Sequence, residues 1–231
     1  MRNVFAIAIV LFLSHNLYAQ RYKVPLNLPN YDKKPIHFGF LIGINSLDFK
    51  ITPVPNVEDE LFVIQSQNQK GFNLGVVSNI RLGYTLDLRF IPTLSLSERK
   101  IFYTLIEDNE LNNESKNIES TFIEFPLSLK FKSSRYNNGR AYIMTGIKYS
   151  LDLASQRNID DEGLDIVKIK KDDFLYEIGF GLDFYLAYFK FSPELKANFG
   201  LSNLAVNDDS IYSRSIKGMR TRGFTISFTF E

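Results

Sequence analysis

The sequence predicts an all-β chain, an eight-stranded antiparallel transmembrane β-barrel of the outer-membrane type with short periplasmic turns and long extracellular loops. Three observations predict it. Apolar residues recur at every second position in eight runs, and a period of two means strand, because successive side chains leave opposite faces of the pleat. The runs between Lys171 and Gly200 are longer than the five or six residues of an ordinary strand, as a span across a bilayer requires. The connections then alternate long and short along the chain, the asymmetry of an outer-membrane barrel.

The chain begins with a leader. Arg2 precedes the apolar run Val4–Leu13, and Asn16-Leu17-Tyr18-Ala19 leads to a cut before Gln20. This is the pattern of an export signal over residues 1–19. Ala19 suits the cut, whereas Leu17 departs from the small-residue rule. Residues 20–35, with Pro25, Pro29 and Pro35, form an extended periplasmic leader to a barrel over residues 36–231. The first strand alternates Phe38, Phe40, Ile42 and Ile44 with His37, Gly39, Gly43 and Asn45. A long loop is expected over residues 51–70. The second strand sets Phe72, Leu74, Val76, Ile80 and Leu82 against Asn73, Gly75, Asn79 and Arg81. After a short turn the third sets Leu86, Leu88, Phe90, Leu94 and Leu96 against Asp87, Arg89, Thr93 and Ser95.

A second long loop is expected over residues 107–117. The fourth strand carries Ile123, Phe125, Leu127, Leu129 and Phe131 against Glu124, Ser128 and Lys130. Asn137-Asn138-Gly139 is turn chemistry. The fifth carries Ile143, Ile147, Tyr149 and Leu151 against Tyr142, Gly146, Lys148 and Asp152. A charged loop over residues 155–170 leads to the sixth and seventh strands. These run from Phe174 to Phe184 and from Phe189 to Phe199, a hairpin with almost no turn. A fourth loop over residues 203–220 precedes Phe224, Ile226, Phe228 and Phe230, which alternate with Thr225, Ser227 and Thr229.

Period alone does not orient a barrel, since a soluble barrel shows the same alternation with its apolar face inward. Volume decides it. Eight strands enclose just enough room for side chains to fill, too little for the Phe, Leu and Ile of all eight apolar faces. The other faces carry Gly39, Gly43, Gly75, Gly83, Gly146, Gly179, Gly181 and Gly200, which suit a crowded lumen, and both signs of charge. Arg81, Arg89, Lys130, Lys148, Lys190 and Lys196 stand against Glu124, Asp152, Glu177, Asp183 and Glu194. Buried charges need partners, so these residues are expected to form a structural charge network in the lumen, with the aromatics in outer-membrane lipid. Tyr84, Tyr149 and Tyr188 suit an aromatic belt. A lumen filled with paired charges is a plug and not a pore.

Composition narrows the chemistry. The chain has no cysteine and 27 basic against 26 acidic residues. Removal of the leader with Arg2 leaves it neutral, which gives no case for nucleic acid. Without cysteine there is no disulfide, thiolate metal site or lipidated N-terminus. His37 is the one histidine left after the leader. A Ser–His–acid site would have to use it, and a polar residue at a strand entry is the plainer reading. Glu177 and Asp183 could serve acid–base work but read as ion-pair members. Asp160-Asp161-Glu162 and Asp208-Asp209 could hold Ca²⁺ weakly and read as solvated loop. Asn113-Glu114-Ser115 is a sequon with no consequence in a bacterial chain. No cofactor is expected, and no catalytic residue is assigned.

Thr221-Arg222-Gly223-Phe224-Thr225-Ile226-Ser227-Phe228 resembles the C-terminal signal read by the barrel-assembly machinery, although Glu231 follows Phe230 where an aromatic often ends such chains. Longer stretches resemble the PorT family of Bacteroidetes outer-membrane proteins. They are Asn27-Leu28-Pro29-Asn30-Tyr31-Asp32-Lys33-Lys34-Pro35-Ile36-His37-Phe38-Gly39-Phe40, Arg89-Phe90-Ile91-Pro92-Thr93-Leu94-Ser95, Ile118-Glu119-Ser120-Thr121-Phe122-Ile123-Glu124-Phe125-Pro126-Leu127, Lys148-Tyr149-Ser150-Leu151-Asp152-Leu153-Ala154-Ser155 and Tyr188-Phe189-Lys190-Phe191. The resemblance covers essentially the whole mature chain. It implies a non-enzymatic barrel in the outer membrane of a Gram-negative bacterium that acts in type IX secretion. Its partners would be the other proteins of that system, which exports proteins bearing C-terminal sorting domains and serves gliding motility in some species. Two rival expectations are a surface-adhesion barrel whose loops bind partners and a small barrel enzyme acting on lipid.

Overall fold

The computed structural model describes residues 25–54, 61–107, 110–153, 169–206 and 216–231. The proposed leader and its cut, the acidic clusters Asp160-Asp161-Glu162 and Asp208-Asp209, and most of the two loops that carry them lie outside the described residues.

Nine strands form one antiparallel sheet. They are β1 (Ile36–Pro53), β2 (Leu61–Arg81), β3 (Leu86–Phe90), β4 (Thr93–Glu107), β5 (Glu110–Lys132), β6 (Gly139–Asp152), β7 (Asp172–Tyr185), β8 (Lys190–Gly200) and β9 (Ile216–Phe230). β1 pairs with β2 on one side and with β9 on the other, so the sheet closes on itself. β3 and β4 share one place in the ring between β2 and β5, which leaves eight positions. Closure removes every edge within the bilayer, where an unpaired backbone group has no water to turn to.

The split of the expected third strand has a local cause. Pro92 has no N–H to give the ladder, and Pro126 stands across the same break on β5. Phe90 and Thr93 are three positions apart, and so are their partners on both β2 (Ser78, Gly75) and β5 (Leu127, Glu124). The gap therefore interrupts the ladder without shifting the register. Elsewhere strand replaces expected loop. Residues 61–70 belong to β2, and residues 110–117 continue β5, which pairs with β4 out to Glu107↔Glu110. β2, β4 and β5 thus extend far beyond the apolar band.

The outer wall is apolar and aromatic. Phe38, Val76, Ile143 and Phe224 are each 60% exposed or more. Neighbouring strands bring such rings together, Phe40–Phe230 stacked at 4.7 Å between centroids and Tyr149–Phe174 tilted at 5.0 Å, the cross-strand pairing that stabilises sheets. At the periplasmic end, Asn137 takes a left-handed φ of 50° in a two-residue turn. There Tyr136 and Gly139 exchange both backbone hydrogen bonds, at 2.9 and 3.0 Å. Glycine serves the interior where a ring needs room. A Cβ on Gly181 would meet the Tyr142 ring at 2.4 Å. Gly83, expected among the lumen glycines, lies instead in the open turn before β3 with nothing near it.

An Ile226→Arg substitution places a cation in lipid between Ile44 and Leu195. It should lower folding stability in vesicles by about 2–4 kcal/mol, as read by urea unfolding, while Tyr188→Arg, at a turn and 92% exposed, should change it little.

Candidate functional site

The inward positions of the strands build a filled lumen. Its centre is Arg89 on β3. The guanidinium reaches Glu194 on β8, which stands on the opposite side of the eight-position ring, and donates to Glu231 at 3.2 Å. Glu231 also takes Lys190 at 2.9 Å. Glu194 further accepts the Tyr142 hydroxyl at 2.7 Å, the Ser227 hydroxyl at 3.2 Å and Lys196 at 3.0 Å. Lys130 bonds Asp183 at 2.8 and 3.1 Å and lies 3.6 Å from the Tyr142 ring centroid. Asp183 accepts Ser192 as well, at 2.7 Å. Six strands, β3 and β5 to β9, and Glu231 are tied into one network. Such ions are tolerable only because partners replace the lost water.

The remaining charges named from the sequence are placed around this centre. Lys148 pairs with Glu124 at 3.0 Å, and Glu177, also buried, acts electrostatically on the same ammonium. Asp152 is buried nearer the extracellular end. Arg81 is the exception, because it is half-buried at the periplasmic mouth and donates to the carbonyls of Gly83 and Asp32. Toward the outside the lumen closes on an apolar cluster of Phe49, Ile169, Leu204, Ile216 and Met219. Beneath it, between Glu124, Asp173 and Lys171, a space of about 10 Å³ remains, room for about one water.

The periplasmic mouth is closed by a segment expected to be an extended leader. Residues 25–35 instead fold back under the barrel around a short 3-10 turn, Tyr31–Lys33, with Leu28 at a φ of 47°. Arg140 clamps Asp32 with two bonds of 3.0 and 2.8 Å. Tyr31 donates to Glu231 at 3.0 Å and stacks on His37 at 3.9 Å, while His37 Nε2 donates to the Tyr31 carbonyl at 2.8 Å. The Asn27 amide donates to the Tyr185 carbonyl at 2.9 Å, and Arg135 holds the Asn27 and Leu28 carbonyls from the turn before β6. His37 is thus the floor beneath the plug, 8% exposed. Its ring faces a tyrosine and a carbonyl, with no serine–acid pair bonded to it among the described residues.

Several members escaped the sequence reading. Glu231 was legible, since Thr225, Ser227, Thr229 and Glu231 share one parity and the strand simply continues inward. Lys132 follows Lys130 in the same way and pairs with Asp87 at 2.5 Å. Asp32 and Tyr31 carried no such signal, because a folded-back segment has no period.

Two outcomes follow. Glu231→Gln removes the carboxylate between Arg89 and Lys190 and should cost about 3–5 kcal/mol of stability, the usual effect of breaking a buried pair, with earlier protease cleavage at residues 25–35. The second concerns pH. Burial raises the Asp32 pKa, but the hydrogen bonds and charge of Arg140 outweigh it and hold the group below its ordinary 3.8. A lowered carboxylate pKa stabilises the folded form above the ordinary value and loses that contribution as pH falls through the folded one. The plug should therefore stay docked at neutral and mildly acidic pH and loosen only below about pH 4. Protease protection across a pH series, with Asp32→Asn already loosened at pH 7, checks this.

Among solved structures the chain is similar to three barrels. Neisserial surface protein A shares 8% identity over 85% of this chain and 98% of that one, at a TM-score of 0.45. The outer membrane protein OprG from Pseudomonas aeruginosa shares 13% over 84% and 93%, also at 0.45. Ail, the attachment invasion locus protein of Yersinia pestis, shares 12% over 84% and 96%, at 0.38. A search of curated proteins finds no match to the chain. A family model described as outer membrane protein beta-barrel domain matches residues 18–206, and the chain, with its closed ring, lipid-facing aromatics and filled lumen, belongs to that family.

Proposed function

We propose that this barrel is a non-enzymatic component of type IX protein secretion in a Bacteroidetes-like outer membrane and that it acts by contact and not as the conduit. The observation that carries the mode of action is the lumen. Arg89 bridges it from wall to wall, Asp32 and Tyr31 close its periplasmic end, and an apolar cluster closes the other. A folded or unfolded cargo chain has no path through it. The secretion role itself rests on the PorT-like stretches, which run from Asn27 to Phe191. They include Asp32 and Tyr31 of the plug, Arg89 at the lumen centre, and Lys148 and Lys190 within it. The other secretion proteins would meet the docked N-terminal segment and the turns beside it, and the barrel-assembly machinery would insert the chain.

One feature favours the second reading, a surface-adhesion barrel. β2, β4 and β5 continue outside the membrane as a paired extension, a form suited to presenting a binding surface.

Gene deletion with complementation tests the proposal. Proteins bearing C-terminal sorting domains should accumulate in the periplasm of the deletion strain and return to the medium when the gene is restored. Normal export in the deletion strain would overturn the secretion role. In that case, loss of adhesion on shortening the β4–β5 hairpin would establish the second reading.

A further inference from the structure

The outer wall of β9, β1 and β2 changes character toward the extracellular end. On β9 the outward residues Phe230, Phe228, Ile226 and Phe224 give way to Arg222 and Arg220. On β1, Ile44 and Ser46 give way to Asp48 and Lys50. The register sets Phe224 against Ser46, Arg222 against Asp48 and Arg220 against Lys50. Lys50 and Arg220 are like charges directly opposite one another, an arrangement that costs stability. Asp48 does not relieve it. That carboxylate already takes Arg222 at 3.0 Å and the Ser66 hydroxyl at 2.5 Å. Among the described residues no carboxylate pairs with Lys50 or Arg220. Lys70, exposed on β2 opposite Ser46, adds another cation. A chain that is neutral overall thus places four cations and one anion on adjoining strands of one face.

The height of this patch is informative. Four residues from Phe224 to Arg220 span about 13 Å of strand, or roughly 10 Å along the membrane normal at a barrel's tilt. The headgroup layer beyond the hydrocarbon is roughly 5–8 Å thick. Arg222 and the Lys50–Arg220 pair therefore bracket the outer-leaflet headgroups. A second feature lies just below. Where the β2–β4 register shifts between Asn68 and Phe72, the wall carries an open depression of about 640 Å³. It is bounded by Ile44, Lys70, Phe72 and Leu96. Ile44, Phe72 and Leu96 give it an apolar wall, Ser97, Ser120 and Thr121 a polar side, and Lys70 stands at its upper rim.

We infer that this face is a binding site for a phosphorylated lipid of the outer leaflet, with its phosphates held by Lys50, Arg220 and Lys70 and an acyl chain in the depression. A phosphate supplies the anion that the opposed cations lack, and a headgroup in an anionic leaflet is where basic residues at a membrane surface gain most. The depression marks the ligand as a lipid, because a free phosphate would have no use for it.

The full-length protein, purified in mild detergent and reconstituted in nanodiscs, provides the test. Native mass spectrometry should show one bisphosphorylated glycolipid retained by the wild type. The K50Q/R220Q double variant, changed only at exposed positions, should hold it at least tenfold more weakly while keeping its far-UV spectrum. The same glycolipid stripped of phosphate should not be retained, and millimolar inorganic phosphate should not displace the lipid. Equal retention by the variant, or equal retention of the dephosphorylated lipid, would overturn the inference. So would ready displacement by inorganic phosphate, which would mark an anion site indifferent to lipid.

Discussion

One guanidinium crossing the barrel is the constraint on which the rest depends. Arg89 lies 1% exposed among walls of strand and cannot shed its proton, so the structure must bring it anions. It draws Glu194 from the far side of the ring and Glu231 from the chain's last position. These two recruit Lys190, Lys196, Tyr142 and Ser227 in turn. Each further charge is admissible only because the previous one needs it. The barrel is consequently held across its diameter and not only around its circumference. Hydrogen bonds between strands close the wall, and ion pairs fix its cross-section.

The same network explains how a segment without periodicity becomes ordered. Glu231 has capacity beyond its two cations and accepts the Tyr31 hydroxyl, and the spare charge of Arg140 is met by Asp32. Residues 25–35 dock because the periplasmic end of the lumen offers unfilled hydrogen bonds, not because they bury much apolar surface. The extracellular end is closed by the opposite means, an apolar cluster drawn from β1, β9 and the segments flanking β7 and β8. Polar closure on one side and apolar closure on the other leave little void between. That filled interior is the basis of the proposed action by contact.

Legibility in the sequence followed periodicity. Wherever two faces alternate, the inward and outward sets could be assigned residue by residue. The inward position of Glu194 or Lys130 and the outward position of Phe224 needed nothing else. The reading weakened where the period ended. Residues 107–117 looked like loop because they are polar on both faces, yet they pair as strand because β4 and β5 stay in register beyond the membrane. Pro92 and Pro126 were visible as residues, but the shared gap depends on their meeting across two strands.

By itself the sequence determined the eight positions of the ring, the orientation of the faces and the balance of charge within the lumen. Each follows from a local rule, side chains leaving a pleat in alternation and a narrow interior excluding bulk. Which cation meets which anion was decided only by the tertiary structure, because ring closure and stagger bring together residues as distant as Arg89 and Glu231. The folded-back plug was decided there too. Its partners are supplied by β6, β7 and the C-terminus, and no property of residues 25–35 alone can announce a surface that exists only after the barrel has closed.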